Sequence, residues 1–123
     1  MARNRASAKQ AGTRFERLIA DHLRDNVDED IDRMPKYGAN DRGDIKGLKH
    51  LGQRIAIETK DYGGQLKAGT WITEAHAAMG NSDSGVGLVV AKRRGTTKPG
   101  DQWVLTTLDD LIALLTGEPR QLP

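Results

Sequence analysis

The sequence predicts an α/β domain in which helices flank a central mixed β-sheet, in the order αβββαββα. Three observations predict it. An apolar stripe with helical spacing follows the N-terminus, a second one recurs around residue 70, and short strand-like runs lie between and after them. One of those runs, "VGLVVA" (Val86 to Ala91), is continuous and apolar, as befits a strand buried on both faces. At 123 residues the chain has room for one sheet and a few helices around a single core.

In chain order, residues 1–10 are polar and basic and are expected to form a flexible arm. Residues 11–117 form one domain and 118–123 a short tail. The first helix runs from about Ala8 to Asn26, with Phe15, Leu18, Ile19, His22 and Leu23 on one stripe. Its regular part is expected to begin near Thr13, an N-cap with Glu16 three residues later. The acidic "VDEDID" leads into a short strand around Ile31 to Pro35, and "KYGANDRGD" has loop chemistry. Asp44 to Leu48 and Arg54 to Asp61 follow as antiparallel strands, turning near His50 to Gln53.

"YGGQ" breaks the chain before a second helix, Leu66 to Met79, with Trp71, Ile72, Ala75, Ala78 and Met79 on its apolar face. After the Val86 to Ala91 strand, "KRRGTTKPGD" makes a basic turn and "QWVLTT" the last strand. An amphipathic helix from Leu108 to Leu115 ends at Gly117 and Pro119. There is no internal repeat and no low-complexity segment.

Cysteine is absent, which excludes a disulfide framework and a thiolate metal site. No apolar run is long enough to cross a bilayer and no signal-peptide pattern opens the chain, so a cytoplasmic protein without a membrane partner is expected. Net charge is only +2, but it is segregated. Arg3, Arg5, Lys9, Arg14 and Arg17 crowd the N-terminus, and Lys92, Arg93, Arg94 and Lys98 form a second cluster. Asp25, Asp28, Glu29, Asp30 and Asp32 lie between them. On charge alone, a polyanion-facing side and a merely solvated mixed surface are equally open readings.

The stretch "IAIETK" (Ile55 to Lys60) carries the chemistry. Side chains alternate along a strand, so Glu58 and Lys60 share one face while Ile55, Ile57 and Thr59 point to the other. An acid two residues before a lysine is common, and Asp44-Ile45-Lys46 is a second instance, with Asp30 as a possible upstream acid. Context favours Glu58. If the two strands pair, Asp44 comes to lie beside Glu58. Two facing carboxylates repel and call for a cation between them. Oxygen ligands of this kind suit Mg²⁺ or Mn²⁺, which can acidify a water and neutralise phosphate charge. Lys60 would stabilise the charged transition state alongside. The alternative for the pair is a surface ion pair worth at most ~1 kcal/mol. His22, His50 and His76 have no ligand spacing, and the glycines of "YGGQ" and "DSGVG" match no phosphate-cradling loop.

Gly43-Asp44 followed by Glu58-Thr59-Lys60 resembles the PD-(D/E)xK nuclease signature, with Gly in place of Pro. The likeness is closest to the small Holliday junction resolvases of archaea and phages, and it spans nearly all of residues 10–115. It implies a restriction-endonuclease-like core. "GTRFERLIADHL" is similar to the Gly-x-x-x-Glu-Arg pattern of those enzymes, which makes Glu16 a further acid of the metal site. Arg33 matches a basic residue placed near the scissile phosphate, and the Thr59 main-chain carbonyl would be another ligand. Those resolvases carry a small hydroxyl residue in the loop before the Asp. Here "YGANDRGD" has none, and Asn40 is the candidate for its place.

The resemblance implies a Mg²⁺- or Mn²⁺-dependent endonuclease acting on branched double-stranded DNA, a four-way junction above all, in a prokaryotic cell or phage-infected host. Glu16, Asp44, Glu58 and Lys60 would be catalytic, and Glu16, Asp44, Glu58 and Thr59 would hold the metal. Arg3, Arg5, Lys9, Arg14, Arg33, Lys36, Arg42, Lys46, Lys92, Arg93 and Arg94 would contact phosphates. Two scissile strands imply a two-fold homodimer, for which the apolar face of the second helix around Trp71 and Met79 is the expected interface. A restriction- or repair-type endonuclease or exonuclease, and a non-catalytic DNA-binding module of the same fold, are the alternatives.

Overall fold

The structure, a computed structural model, describes residues 4–36, 38 and 40–119. The first helix, α1, spans Arg5–Asn26. Asn4 caps it, its side chain accepting from the Ser7 N–H at 2.8 Å. The segment expected as an arm is therefore helical from Arg5 onward, because Asn4 offers a better cap than Thr13 and "RASAKQA" is rich in helix formers. Thr13 instead donates its hydroxyl to the Lys9 carbonyl inside the helix. Arg3 lies outside the described residues.

Six strands follow, with two helices among them: β1 Asp32–Arg33, β2 Ile45–Lys46, β3 Lys49–His50, β4 Gln53–Lys60, α2 Ala68–Asn81, β5 Val86–Ala91, β6 Trp103–Leu105 and α3 Leu108–Thr116. The extra strand comes from Gly47. At φ +89° it breaks the expected Asp44 to Leu48 strand, and the remainder, β3, folds back on the start of β4. Leu51 and Gly52, both at positive φ, make that tight turn.

The sheet runs in the order β1-β2-β4-β5-β6, with β3 paired to β4 beside this path. Only β4 and β5 are parallel, as the α2 crossover between them requires. Ile55 and Ile57 of β4 join Val86 and Val90 of β5 in one core with Phe15 and Ile19 of α1 and Ala113 of α3. On the opposite face, Ala56 packs on Ala78 and Met79 of α2, and Val89 and Ala91 pack on Trp71 and Ala75. α2 comes close because Gly87 has no side chain: a Cβ there would lie 3.0 Å from the Ala75 carbonyl oxygen. The result is an α/β architecture, a mixed open sheet with helices on both faces.

One expectation is corrected here. Trp71 and Met79 are 1% and 2% exposed, so the apolar face of α2 is spent on the chain's own core and is no dimer interface. His76, on the same helix, is half-buried. Its Nε2 lies 2.7 Å from Oδ2 of Asp110, a fully buried carboxyl that also accepts from Thr107 and the Gly87 N–H. This network ties α3 to α2 and β5. No helix among the described residues is long and apolar enough to cross a membrane.

Candidate active site

The central strand β4 positions the site. Ile55 and Ile57 anchor one of its faces, so alternation turns Ala56, Glu58 and Lys60 toward the α2 face. β2 pairs antiparallel with β4, Ile45 opposite Ile57, which sets Asp44 against the C-terminal half of β4. The Asp44 N–H donates to the Ile57 carbonyl at 2.7 Å. Its carboxylate accepts from the Thr59 N–H at 2.7 Å and the Thr59 hydroxyl at 3.1 Å.

Gly43 makes this entry possible. It sits at φ +95°, and a Cβ there would lie 3.0 Å from the Ile57 carbonyl oxygen. Proline, locked near −65°, cannot adopt that backbone, whereas glycine can.

α1 passes over the same end of β4 and presents Ala8, Gly12 and Glu16, one per turn, to a cleft of about 720 Å³. Asp44, Glu58, Thr59 and Lys60 line its floor and the Tyr62 to Gln65 loop its far side. The structure thus brings together all the residues that the sequence nominated for catalysis and metal binding. The competing residues Lys46 and Asp30 do not line this cleft: Lys46 is exposed on β2, and Asp30 is exposed outside the sheet.

Electrostatics sets Glu58 apart. It is 4% exposed, and its Oε1 is buried without a hydrogen-bond partner. Burial, a hydrogen bond with Asp41 and the negative charges of Asp44 and Asp41 push its pKa up to about 10. Burial also works against ionisation of Asp41. The proton donated by Glu58 and the Gly43 N–H nevertheless hold that carboxyl below the usual range. Asp41 is therefore a site residue that sequence reasoning missed. It stands one position after Asn40 in the loop searched for a hydroxyl residue, and its own acidity was the available signal.

Glu74 is the second omission. It forms a short ion pair with Lys60, and although burial opposes the lysine's charge, the Glu74 carboxylate and then Glu58 raise its pKa above the ordinary value. Lys60 is held as a cation, suited to stabilising negative charge rather than to accepting a proton. Glu74 lies one turn beyond Trp71 on α2, a position legible only once α2 is known to cover this face.

Lys36 is the cation shared by the remaining acids. Its Nζ stands 3.6 Å from Glu16 and 3.3 Å from Asp44, while Arg33 contacts Glu16 at 3.4 Å. Among the described residues, no group of three or more His, Asp and Glu side chains converges as a metal cage. Lys36 stands between Glu16 and Asp44 and offsets their charge.

The expected phosphate contacts divide. Arg14 and Lys92 line a depression that shares Asp61 with the cleft, and the Arg94 side chain abuts Gly64 in the loop beside it. The Lys92 ammonium turns inward, donating to the carbonyls of Arg93 and Thr96, so it shapes the basic turn. Arg93 stacks over Trp103 at 4.5 Å. Arg5 and Lys9 are exposed on the first turns of α1, and Arg42 and Lys46 line a separate groove with Lys49 and Arg54. Arg33 and Lys36 serve the acids of the cleft. Comparison with family models, with curated proteins and with solved structures returned no match.

Proposed function

We propose that the cleft is the active site of a metal-dependent phosphodiesterase, a nuclease of the PD-(D/E)xK kind on a restriction-endonuclease-like core. The observation that carries this reading is the convergence of Asp44, Glu58 and Lys60 at one end of a central strand under Glu16 of α1. A structural ion pair would not need a third and fourth acid, and Glu58 is buried with a free oxygen among like charges. Natural chains keep such unfavourable clusters where chemistry uses them.

The donor set fits a hard divalent cation such as Mg²⁺ or Mn²⁺: carboxylate oxygens of Asp44 and Glu58, the Thr59 carbonyl, and Glu16 once released from Lys36. When bound, such an ion supplies an acidified water and neutralises charge on a phosphate oxygen. The chain's own residues do the rest. Asp44 is aligned by the Thr59 N–H and hydroxyl. Glu58 gives up its proton when a cation offsets Asp41 and Asp44. Lys60, kept charged by Glu74, faces the charge that develops on the phosphate. Arg14, Arg94 and the exposed cations of α1 would follow the backbone of DNA leaving the cleft, with strong salt dependence.

The particular activity proposed is cleavage of branched DNA, a Holliday junction resolvase. This finer assignment rests on the resemblance of Gly12 to Arg17 and of the β-strand signature to those enzymes. The test is a substrate panel: a synthetic four-way junction, a nicked duplex and a linear duplex, each with and without Mg²⁺. Paired, symmetric cuts in the junction alone support the resolvase. Equal cutting of all three leaves a general endonuclease, and binding without cutting overturns the enzyme in favour of a DNA-binding module.

A further inference from the structure

Among the described residues, Tyr62 alone brings an aromatic ring to the cleft wall. It is 47% exposed, yet its neighbours hold it in place. The ring rests on the buried Trp71 of α2, centroids 5.2 Å apart and planes at 54°. Lys60, two residues earlier, reaches Glu74 one turn further along the same helix. Ring and ammonium therefore stand side by side, close enough for the phenol to act on the Lys60 charge. The backbone after the ring is pinned as well. The Gly63 N–H donates to the Asp61 carboxylate at 3.0 Å and the Gln65 N–H to the Tyr62 carbonyl at 3.1 Å. Gly63 and Gly64, at φ +64° and +96°, allow that tight return. Covering Trp71 is the plainest use of the ring, but an aliphatic side chain would serve for that. A pinned, half-exposed aromatic beside a charged lysine offers a second use.

We infer that Tyr62 is a platform on which one unpaired nucleobase of the substrate stacks while its phosphate lies at Lys60. The inference rests on the nuclease reading of the cleft and adds to it the state of the nucleotide that enters. Every base has a π-face, but inside a duplex both faces are covered by neighbours, so only a splayed-out nucleotide can meet the ring. The cleft, at about 720 Å³, has the size of pockets that hold a small ligand, a single nucleotide included. Lys67 stands over the ring at 5.2 Å, and a base has to displace it. An exposed cation–π contact is worth about 2- to 5-fold in affinity. Stacking on an aromatic side chain is worth about 5- to 150-fold per base, so the base wins. Splaying costs least where the nucleotide is already unpaired. Tyr62 therefore selects DNA with a single-stranded nucleotide at a branch over intact duplex, a choice that phosphate contacts cannot make.

Fluorescence anisotropy in chelator, so that no metal-dependent cutting intervenes, tests it with two DNAs: a duplex bearing a single-stranded flap and a linear duplex of equal length. Tyr62→Leu should bind the flapped DNA about 5- to 150-fold more weakly. It should bind the linear duplex as the wild type does, which also reports that it has folded, and Tyr62→Phe should keep both affinities. An abasic nucleotide moved along the flap gives the pairwise check. At one position it should weaken wild-type binding by the factor that Tyr62→Leu does, and cost that variant nothing further. Losses of equal size on both DNAs, or abasic and Tyr62→Leu losses that add, overturn the inference and leave the nuclease reading standing. So does a wild type indifferent to the abasic nucleotide at every position, a result that needs no variant. A wild type that binds neither DNA overturns both.

Discussion

Replacing Glu58 by Gln should stabilise the fold while abolishing metal binding. Glu58 is 4% exposed, and its pKa is raised from an ordinary 4.5 to about 10, by burial first and then by Asp41 and Asp44. A raised acid contributes stability that is fully present below the unfolded pKa and is lost as pH rises toward the folded one. At pH 7 the unfolded chain has released this proton and the folded chain still holds it. The penalty is about 1.4 kcal/mol per pH unit above 4.5, or about 3 kcal/mol at neutrality. Gln keeps the shape and a donor for Asp41 and never ionises, so the penalty vanishes. In chelator at pH 7 the variant's Tm should exceed the wild type's by roughly 10 °C, and the gap should shrink toward zero near pH 4.5. Added Mn²⁺ should raise the wild-type Tm and leave the variant's unchanged. Differential scanning calorimetry at pH 5 and pH 8, with and without the ion, measures all of this. A variant less stable than wild type at pH 8, or a gap independent of pH, would refute the reasoning.

Three further outcomes are expected. Lys36→Ala removes the ammonium between Glu16 and Asp44, and Mn²⁺ should bind several-fold more tightly by calorimetry, on the ~1 kcal/mol scale of an exposed pair; weaker binding would show that Lys36 does not compete for those oxygens. Gly43→Pro needs a φ that the position, at +95°, cannot supply, and it deletes the N–H donated to Asp41. It should cost more than ~3 kcal/mol by urea denaturation, whereas equal stability would contradict the local geometry. Asp110→Ala should cost about 3 kcal/mol, since it strips a buried carboxyl from Thr107, His76 and the Gly87 N–H. Although burial opposes its ionisation, these donors lower the Asp110 pKa. Its contribution is therefore present above about pH 4 and is lost as pH falls through the lowered value. A wild-type-to-variant difference unchanged down to pH 2 would sink that assignment.

Much of this was legible from periodicity and charge. "VGLVVA" gave β5 from Val86 to Ala91, and the alternation in "IAIETK" separated the anchoring isoleucines from Glu58 and Lys60. What escaped depended on contacts distant in sequence or on local backbone turns. Gly47 splits a strand at φ +89°, packed so close to Asp30 that a Cβ would lie 2.5 Å from its carbonyl oxygen, which no window of sequence reveals. Asp41 and Glu74 become site residues through loop closure and helix packing. α3 was legible as amphipathic, but its spacing could not say which side faces the core. Asp110, a residue that composition assigns to the surface, decides it by being the buried one.

The central claim is that Asp44, Glu58 and Lys60 form a phosphodiester-cleaving site. Single-turnover cleavage of an end-labelled four-way junction in Mg²⁺ tests it most directly, comparing the wild type with Asp44→Asn and Lys60→Met at matched DNA occupancy. The expected result is metal-dependent cutting by the wild type, with rates at least ~10²-fold lower in both variants while DNA binding persists. Cutting that survives both substitutions would contradict the account.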